Sequence, residues 1–152
     1  MGKINVGRVI LGGVVAGIVI NILGYLVDGI LLASQWAAGM AALGKPDFST
    51  NQLVAFNAIG LANGIFMVWL YAAIRPRYGA GPKTAAGAGV AVWVAGTLLP
   101  NAALMGTAGL FPVNLTAMTT AAGIVVATLA ALAGASVYQE STEAARSMAT
   151  GA

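Results

Sequence analysis

From residue 84 to residue 139 no side chain carries a formal charge, a run of 56 positions. A chain of that length folding in water exposes a surface that needs charged groups, and none are supplied here. A helix crossing the hydrocarbon core takes about 20 mostly apolar residues. The run is too long for one crossing and long enough for two. Pro100 and the stretch 106–114 (GTAGLFPVN) mark where it breaks. The first half of the chain offers two more such segments. One lies between Arg8 and Ala33, interrupted by Asn21 and Asp28, and the other runs from Asn51 to Ile74. The expected spans are therefore about 8–33, 51–74, 84–105 and 115–138, with a polar tail over 139–152. Backbone groups in lipid must be satisfied internally, which leaves helices or a closed barrel. Barrel strands alternate apolar and polar residues, and VILGGVVAGIVI and MTTAAGIVVATLAALAGA do not. The expected fold is an all-α integral membrane four-helix bundle forming a single transmembrane domain.

Composition excludes much else. Charged residues make up 7% of the 152, against about 25% in soluble domains. The chain has no Cys, so disulfides, thiolate metal sites and a cysteine nucleophile are out. It has no His, which removes the usual base, haem ligand and zinc ligand. The first apolar segment is longer than the roughly 7–15 residues of a signal-peptide core, so a retained helix is expected. Position 6 is Val, which argues against myristoylation at Gly2.

Lys and Arg set the orientation. Lys3, Arg8, Arg75, Arg77, Lys83 and Arg146 fall on one side of a four-span chain, and Lys45 on the other. The positive-inside rule then puts both termini in the cytoplasm (N-in, C-in). Trp36, Tyr71, Tyr78 and Tyr138 sit near span ends, where amphipathic rings favour the interface.

Local signals refine the boundaries. Ser49 and Gln52 have capping-box spacing for the second span. Asn114 is placed to cap the fourth. Arg75-Pro76 is expected to end the second, because a residue before proline avoids the helical region. WAAGMAAL, 36–43, reads as a short helix at the outer interface, and the tail as a two- or three-turn extension of the fourth helix. Pro100 is free to kink or to end the third.

Lipid offers little hydrophobic drive between helices, so close backbone approach matters. Gly13 and Gly17 form a G-x-x-x-G, and Gly60 and Gly64 another. Gly12, Ala16, Ile20, Gly24 and Asp28 form an adjacent row. The fourth span has Gly123, Ala127, Ala131 and Ala135 in a row, and the third Gly87, Ala91 and Ala95.

Polar residues inside a membrane are pointers to function. Asn21 and Asn63 fall near the midpoints of their spans and form a candidate midplane pair. Asp28 lies seven residues beyond Asn21, and Asn57 six before Asn63 in an antiparallel span. Both are about 10 Å outward at 1.5 Å per residue. Asn101, Thr119 and Thr120 reach a similar height, so each span brings a polar group to one outer layer. Pro100 adds a freed carbonyl there. As glue, this layer holds helices together or lets Asp28 reach the headgroups. As a site, it lines an outward-facing pocket in which Asp28 is the acid.

The loop RPRYGAGPK, with Arg75, Arg77 and Lys83, reads first as an orientation signal. Its three charges fall short of the four to eight usual for anionic-lipid binding. It lacks the spacing of a phosphate loop. Paired intramembrane carboxylates, a Ser-His-Asp set and H-E-x-x-H are missing, so no enzyme is expected. The six Met are scattered, which argues against a thioether copper site. No cofactor and no nucleic acid is expected.

The segments INVGRVILGGVVAGIVINI (4–22) and VWLYAAIRPRYGAGPKTA (68–85), with the length and four spans, resemble a group of small bacterial inner-membrane proteins of no known activity. The resemblance implies fold and location and carries no mechanism. The expectation is a bacterial inner-membrane, non-enzymatic protein. Its partners are the lipid bilayer and either itself or other membrane subunits, for which it acts as a structural or accessory subunit. Two alternatives are a small transporter or channel built around Asp28, and a lipid-, quinone- or pigment-binding module.

Overall fold

A computed structural model describes residues 4–140. Within them the chain forms five helices: α1 (Val6–Leu31), α2 (Ala33–Ala42), α3 (Thr50–Tyr78), α4 (Pro82–Thr107) and α5 (Val113–Val137). All but α2 are long and apolar enough to cross a membrane. The shortest of the four has 25 residues, or about 37 Å of rise, more than the roughly 30 Å hydrocarbon core. α2 falls where the first loop was expected to be helical.

Around the bundle the order is α1, α3, α4, α5, each packed on the next, with α5 closing back onto α1. The closest approach is α1 on α3. A Cβ on Gly13 would strike the Cα of Ile65, and one on Gly17 would lie 2.6 Å from the Cα of Leu61. One on Gly64 would strike the backbone of Gly13 and Gly17. The two G-x-x-x-G motifs thus face each other. Gly12 and Gly134 meet in the same way where α1 crosses α5, each within 2.7 Å of the other's carbonyl if given a Cβ. α5 meets α4 through Ala127 and Ala131, which pack against Gly89.

The small-residue row read on α4 does not pack within the bundle. Gly87, Ala91 and Ala95 point outward, and nothing lies within 4 Å of a Cβ on Gly87. The packed face carries Ala85, Ala88, Gly89 and Val92 instead. Both rows are small, and only the one holding Gly89 lets the α5 backbone come close.

Three boundary expectations also change, and the open question at Pro100 is answered. α3 continues to Tyr78 with Pro76 inside it. The proline deprives only the Ala72 carbonyl of its partner, while the Gly79 N–H still closes on the Arg75 carbonyl at 2.9 Å. Gly79, at φ 84°, then ends the helix. α5 begins at Val113 behind Pro112, so Asn114 lies in the first turn and is not the cap. α5 stops at Val137, where Tyr138 turns extended (ψ 131°), rather than running on into the tail. The rest of the expected extension lies outside the described residues. α4 passes Pro100 without ending. The Ser49–Gln52 capping box forms as the spacing requires.

The apolar core is concentrated toward the end carrying Arg75, Arg77 and Lys83. Val9, Ala16, Met67, Val68, Tyr71, Ala72, Ala85, Ala88, Ala130 and Ala131 fill it. Tyr71 and Tyr138 are 5% and 6% exposed and pack into the core, whereas Tyr78 is 69% exposed. Tyr71 lies on the Met67–Val68–Ala72 face of α3, which aims it inward. The two rings pack edge to face at 5.9 Å, and the Arg75 guanidinium stands 5.7 Å above Tyr138. Arg75 pairs with Glu140 at 3.6 Å. The Gly81 N–H donates to the Tyr71 hydroxyl at 3.3 Å. This basic end is closed by side chains; the opposite end is where the packing opens.

Candidate functional site

Two helices leave α geometry, Tyr25–Leu31 at the end of α1 and Val94–Leu98 in the middle of α4. Both are π turns, with hydrogen bonds five residues apart: Leu32 N–H to the Val27 carbonyl at 2.9 Å, and Leu99 N–H to the Val94 carbonyl. Pro100 accounts for the second. Its ring crowds the Gly96 carbonyl and offers it no N–H, and widening the preceding turn by one residue relieves the clash. In the first, the Tyr25 ring lies over Gly29, where a Cβ would come within 2.7 Å of it. Such single π turns recur at functional sites.

Both π segments border a cavity of about 410 Å³. α1 contributes Ile20, Gly24, Val27 and Asp28; α4 contributes Gly96, Thr97 and Asn101; α5 contributes Thr116, Thr119 and Gly123. Met67, Val92 and Ala127 lie where it meets the core, and Trp36, Leu110 and Phe111 stand at its other end. α2 covers that end: Gly39 packs against Phe111, and Trp36 meets the same ring edge-on at 5.0 Å.

Asp28 holds the only carboxylate in the wall. The Trp36 indole N–H donates to its Oδ1 at 3.2 Å. Its Oδ2 has no hydrogen-bond partner among the described residues, and no Lys or Arg lines the cavity. Across from it, Asn101 donates to the Thr120 hydroxyl at 2.7 Å, which in turn donates to the Thr116 carbonyl at 2.6 Å. The hydroxyls of Thr116 and Thr119 likewise donate to helix carbonyls, of Pro112 and Thr116. Trp93 lies over Gly123 and donates to the Thr120 carbonyl at 2.9 Å. Asn63 reaches the cavity with no hydrogen-bond partner among the described residues.

Of the expected layer, Asp28, Asn101 and Thr119 reach one cavity, and Thr120 braces it from behind. Asn57 does not join them. It is exposed, and its amide turns back to the Leu53 carbonyl at 2.7 Å. The expected Asn21–Asn63 pair does not form either. The Asn21 amide donates to the Asn57 carbonyl at 3.0 Å and its oxygen lies over Gly60. Gly60 makes room for it one turn before Asn63, which stays on the cavity side. Gly13, Gly17, Gly60, Gly64, Ala127 and Ala131 pack helices, whereas Gly123 seats the Trp93 ring. Arg75, Arg77 and Lys83 lie at the far, closed end.

Sequence reasoning missed Trp36, Trp93, Thr97 and Met67 as lining residues. Trp36 stands eight positions after Asp28, on a separate helix, and only the break at Leu32 folds it back. The row Ile20–Gly24–Asp28 was a usable signal, since all three line the cavity.

No protein family, curated protein or solved structure matches the chain.

Proposed function

We propose that this multi-pass membrane protein binds a small, mainly apolar molecule with one polar end, inside its bundle. The observation that carries the reading is the cavity: about 410 Å³, within the range of small-molecule sites at roughly 300–1,000 Å³, apolar over most of its wall, with a few convergent polar groups. Two π turns on opposite sides of one cavity, at the end of the bundle where the packing opens, fit a ligand site. The accessory-subunit reading rests on missing chemistry, and it makes no use of this feature. Binding, with or without passage across the membrane, does. No catalytic role enters the proposal.

The same reading sets the closed end in the cytoplasm and the Asp28 end toward the outer face of a bacterial inner membrane. The clustering of Arg75, Arg77 and Lys83 at one end supports the orientation. The resemblance of the segments 4–22 and 68–85 supports the location.

Native mass spectrometry of the protein released from mild detergent tests the reading. The expected result is a retained non-protein mass on the wild-type chain that is lost in Thr119→Trp, which fills the cavity. A bare wild-type chain, or a mass that survives Thr119→Trp unchanged, overturns it.

A further inference from the structure

We infer that the cavity takes an organic cation: an ammonium or comparable group on an aromatic or aliphatic body. The inference rests on the reading of the cavity as a ligand site and names the class of ligand. It starts from Asp28. A carboxylate at membrane depth is costly unless paired, and the wall supplies no Lys or Arg to pair with it. The single bond from the Trp36 indole orients Oδ1, but an indole carries no charge to balance a carboxylate. Oδ2 has no hydrogen-bond partner among the described residues. A cationic ligand completes the pair.

The surroundings select the kind of cation. Calcium takes six to eight oxygen ligands, and magnesium a tight octahedron. Here one carboxylate stands alone, and among the described residues no three His, Cys, Asp or Glu group together. Beyond that carboxylate the wall offers only neutral hydroxyl and amide oxygens, a weak set for a divalent ion. A bare proton would need no cavity of about 410 Å³. An anion would meet the Asp28 charge with no basic residue to offset it. Beside Asp28 stand instead the rings of Trp36 and Phe111, packed edge to face with centroids 5.0 Å apart. Aromatic rings attract alkylated ammonium groups, and the apolar wall from Val27 to Val92 accepts the body of the ligand.

The test uses the whole chain in nanodiscs of zwitterionic lipid, with empty nanodiscs subtracted for partitioning. The probes are benzyltrimethylammonium and its neutral carbon isostere, neopentylbenzene, which match in shape and differ in charge. Binding is read from tryptophan fluorescence, since Trp36 and Trp93 both line the cavity. The cation is expected to bind more tightly than the isostere. Asp28→Asn is expected to weaken the cation at least about tenfold, as loss of one partner of a partly buried charge pair does, and to leave the isostere unchanged. Trp36→Phe keeps the ring, removes the donor and gives a milder loss, so the inference does not hang on one variant. Circular dichroism melts show whether each variant folds. Equal binding of both probes, or indifference of the cation to a folded Asp28→Asn, overturns the cation while leaving the cavity a ligand site. Failure of both probes to bind the wild type overturns the ligand site itself.

Discussion

Replacing Gly64 by Ala puts a methyl group into the closest helix contact of the bundle. The new Cβ would lie 2.7 Å from the Gly17 Cα and closer still to the Gly17 nitrogen and the Gly13 carbonyl. Carbon atoms rest at about 3.5–4.0 Å, so α1 and α3 must part by about 1 Å at the crossing. The obstacles are backbone atoms of a helix that is itself pressed on α5 through Gly12, and they have no rotamer to swing aside. A gap of that size forfeits a quarter to a half of each dispersion contact along the seam. Overpacking of this kind costs about 1–3 kcal/mol, and Ala returns up to about 1 kcal/mol of helix propensity over Gly. The net expectation is a loss of about 1–2 kcal/mol. Gly87→Ala is the internal control, because nothing lies within 4 Å of its Cβ; it is expected to be neutral or stabilising by up to about 1 kcal/mol. Unfolding in mixed detergent and sodium dodecyl sulfate micelles, followed by far-ultraviolet circular dichroism, compares the two. Equal midpoints for Gly64→Ala and Gly87→Ala would refute the packing argument.

Asn21→Val removes the bond to the Asn57 carbonyl and is expected to cost about 0.6 kcal/mol, the usual size of such a bond in a membrane; Asn63→Leu, which breaks no bond, is expected to cost nothing in the same unfolding assay, and a reversed ranking contradicts the assignment. Pro100→Ala restores the N–H that the Gly96 carbonyl lacks. Amide chemical shifts of residues 94–98 are then expected to move to ordinary α values, and unchanged shifts would show that proline is not the cause of the wide turn. Ser49→Ala removes the cap on the Gln52 N–H and is expected to cost about 1 kcal/mol, seen as faster amide exchange over the first turn of α3; unaltered exchange would refute the cap.

The four long helices were legible because they are dictated by one arithmetic, the length of uncharged chain against the thickness of a bilayer. The facing G-x-x-x-G motifs of α1 and α3 and the capping box at Ser49 were legible for a similar reason, since each is a local pattern with a fixed spacing. Proline misled once and once left the outcome open. Pro76 sits so near the helix end that losing one bond does not stop α3, and Pro100 is absorbed by a π turn that no periodicity announces. The choice between two small rows on α4 depends on how the helix is rotated, which neighbours decide and its own residues do not. The site shows the same division. The depth of Asp28, Asn101 and Thr119 followed from counting residues. That Asn21 would turn to a backbone carbonyl over Gly60, and that Trp36 would fold back onto Asp28, depended on contacts between elements.

The central claim is a ligand cavity in the half of the bundle around Asp28. The chain has no Cys, so single cysteines can be placed without altering any other residue. Thr119 lines the cavity, whereas Val125, on the same helix, is 58% exposed on the outer surface. Labelling with the cationic thiol reagent methanethiosulfonate ethylammonium in intact membranes compares Thr119→Cys with Val125→Cys. A cavity that admits polar cations predicts rapid labelling at 119, slowed by benzyltrimethylammonium, and little at 125, where lipid keeps the thiol protonated and the reagent away. Labelling at 125 as fast as at 119, or none at 119, would contradict the account.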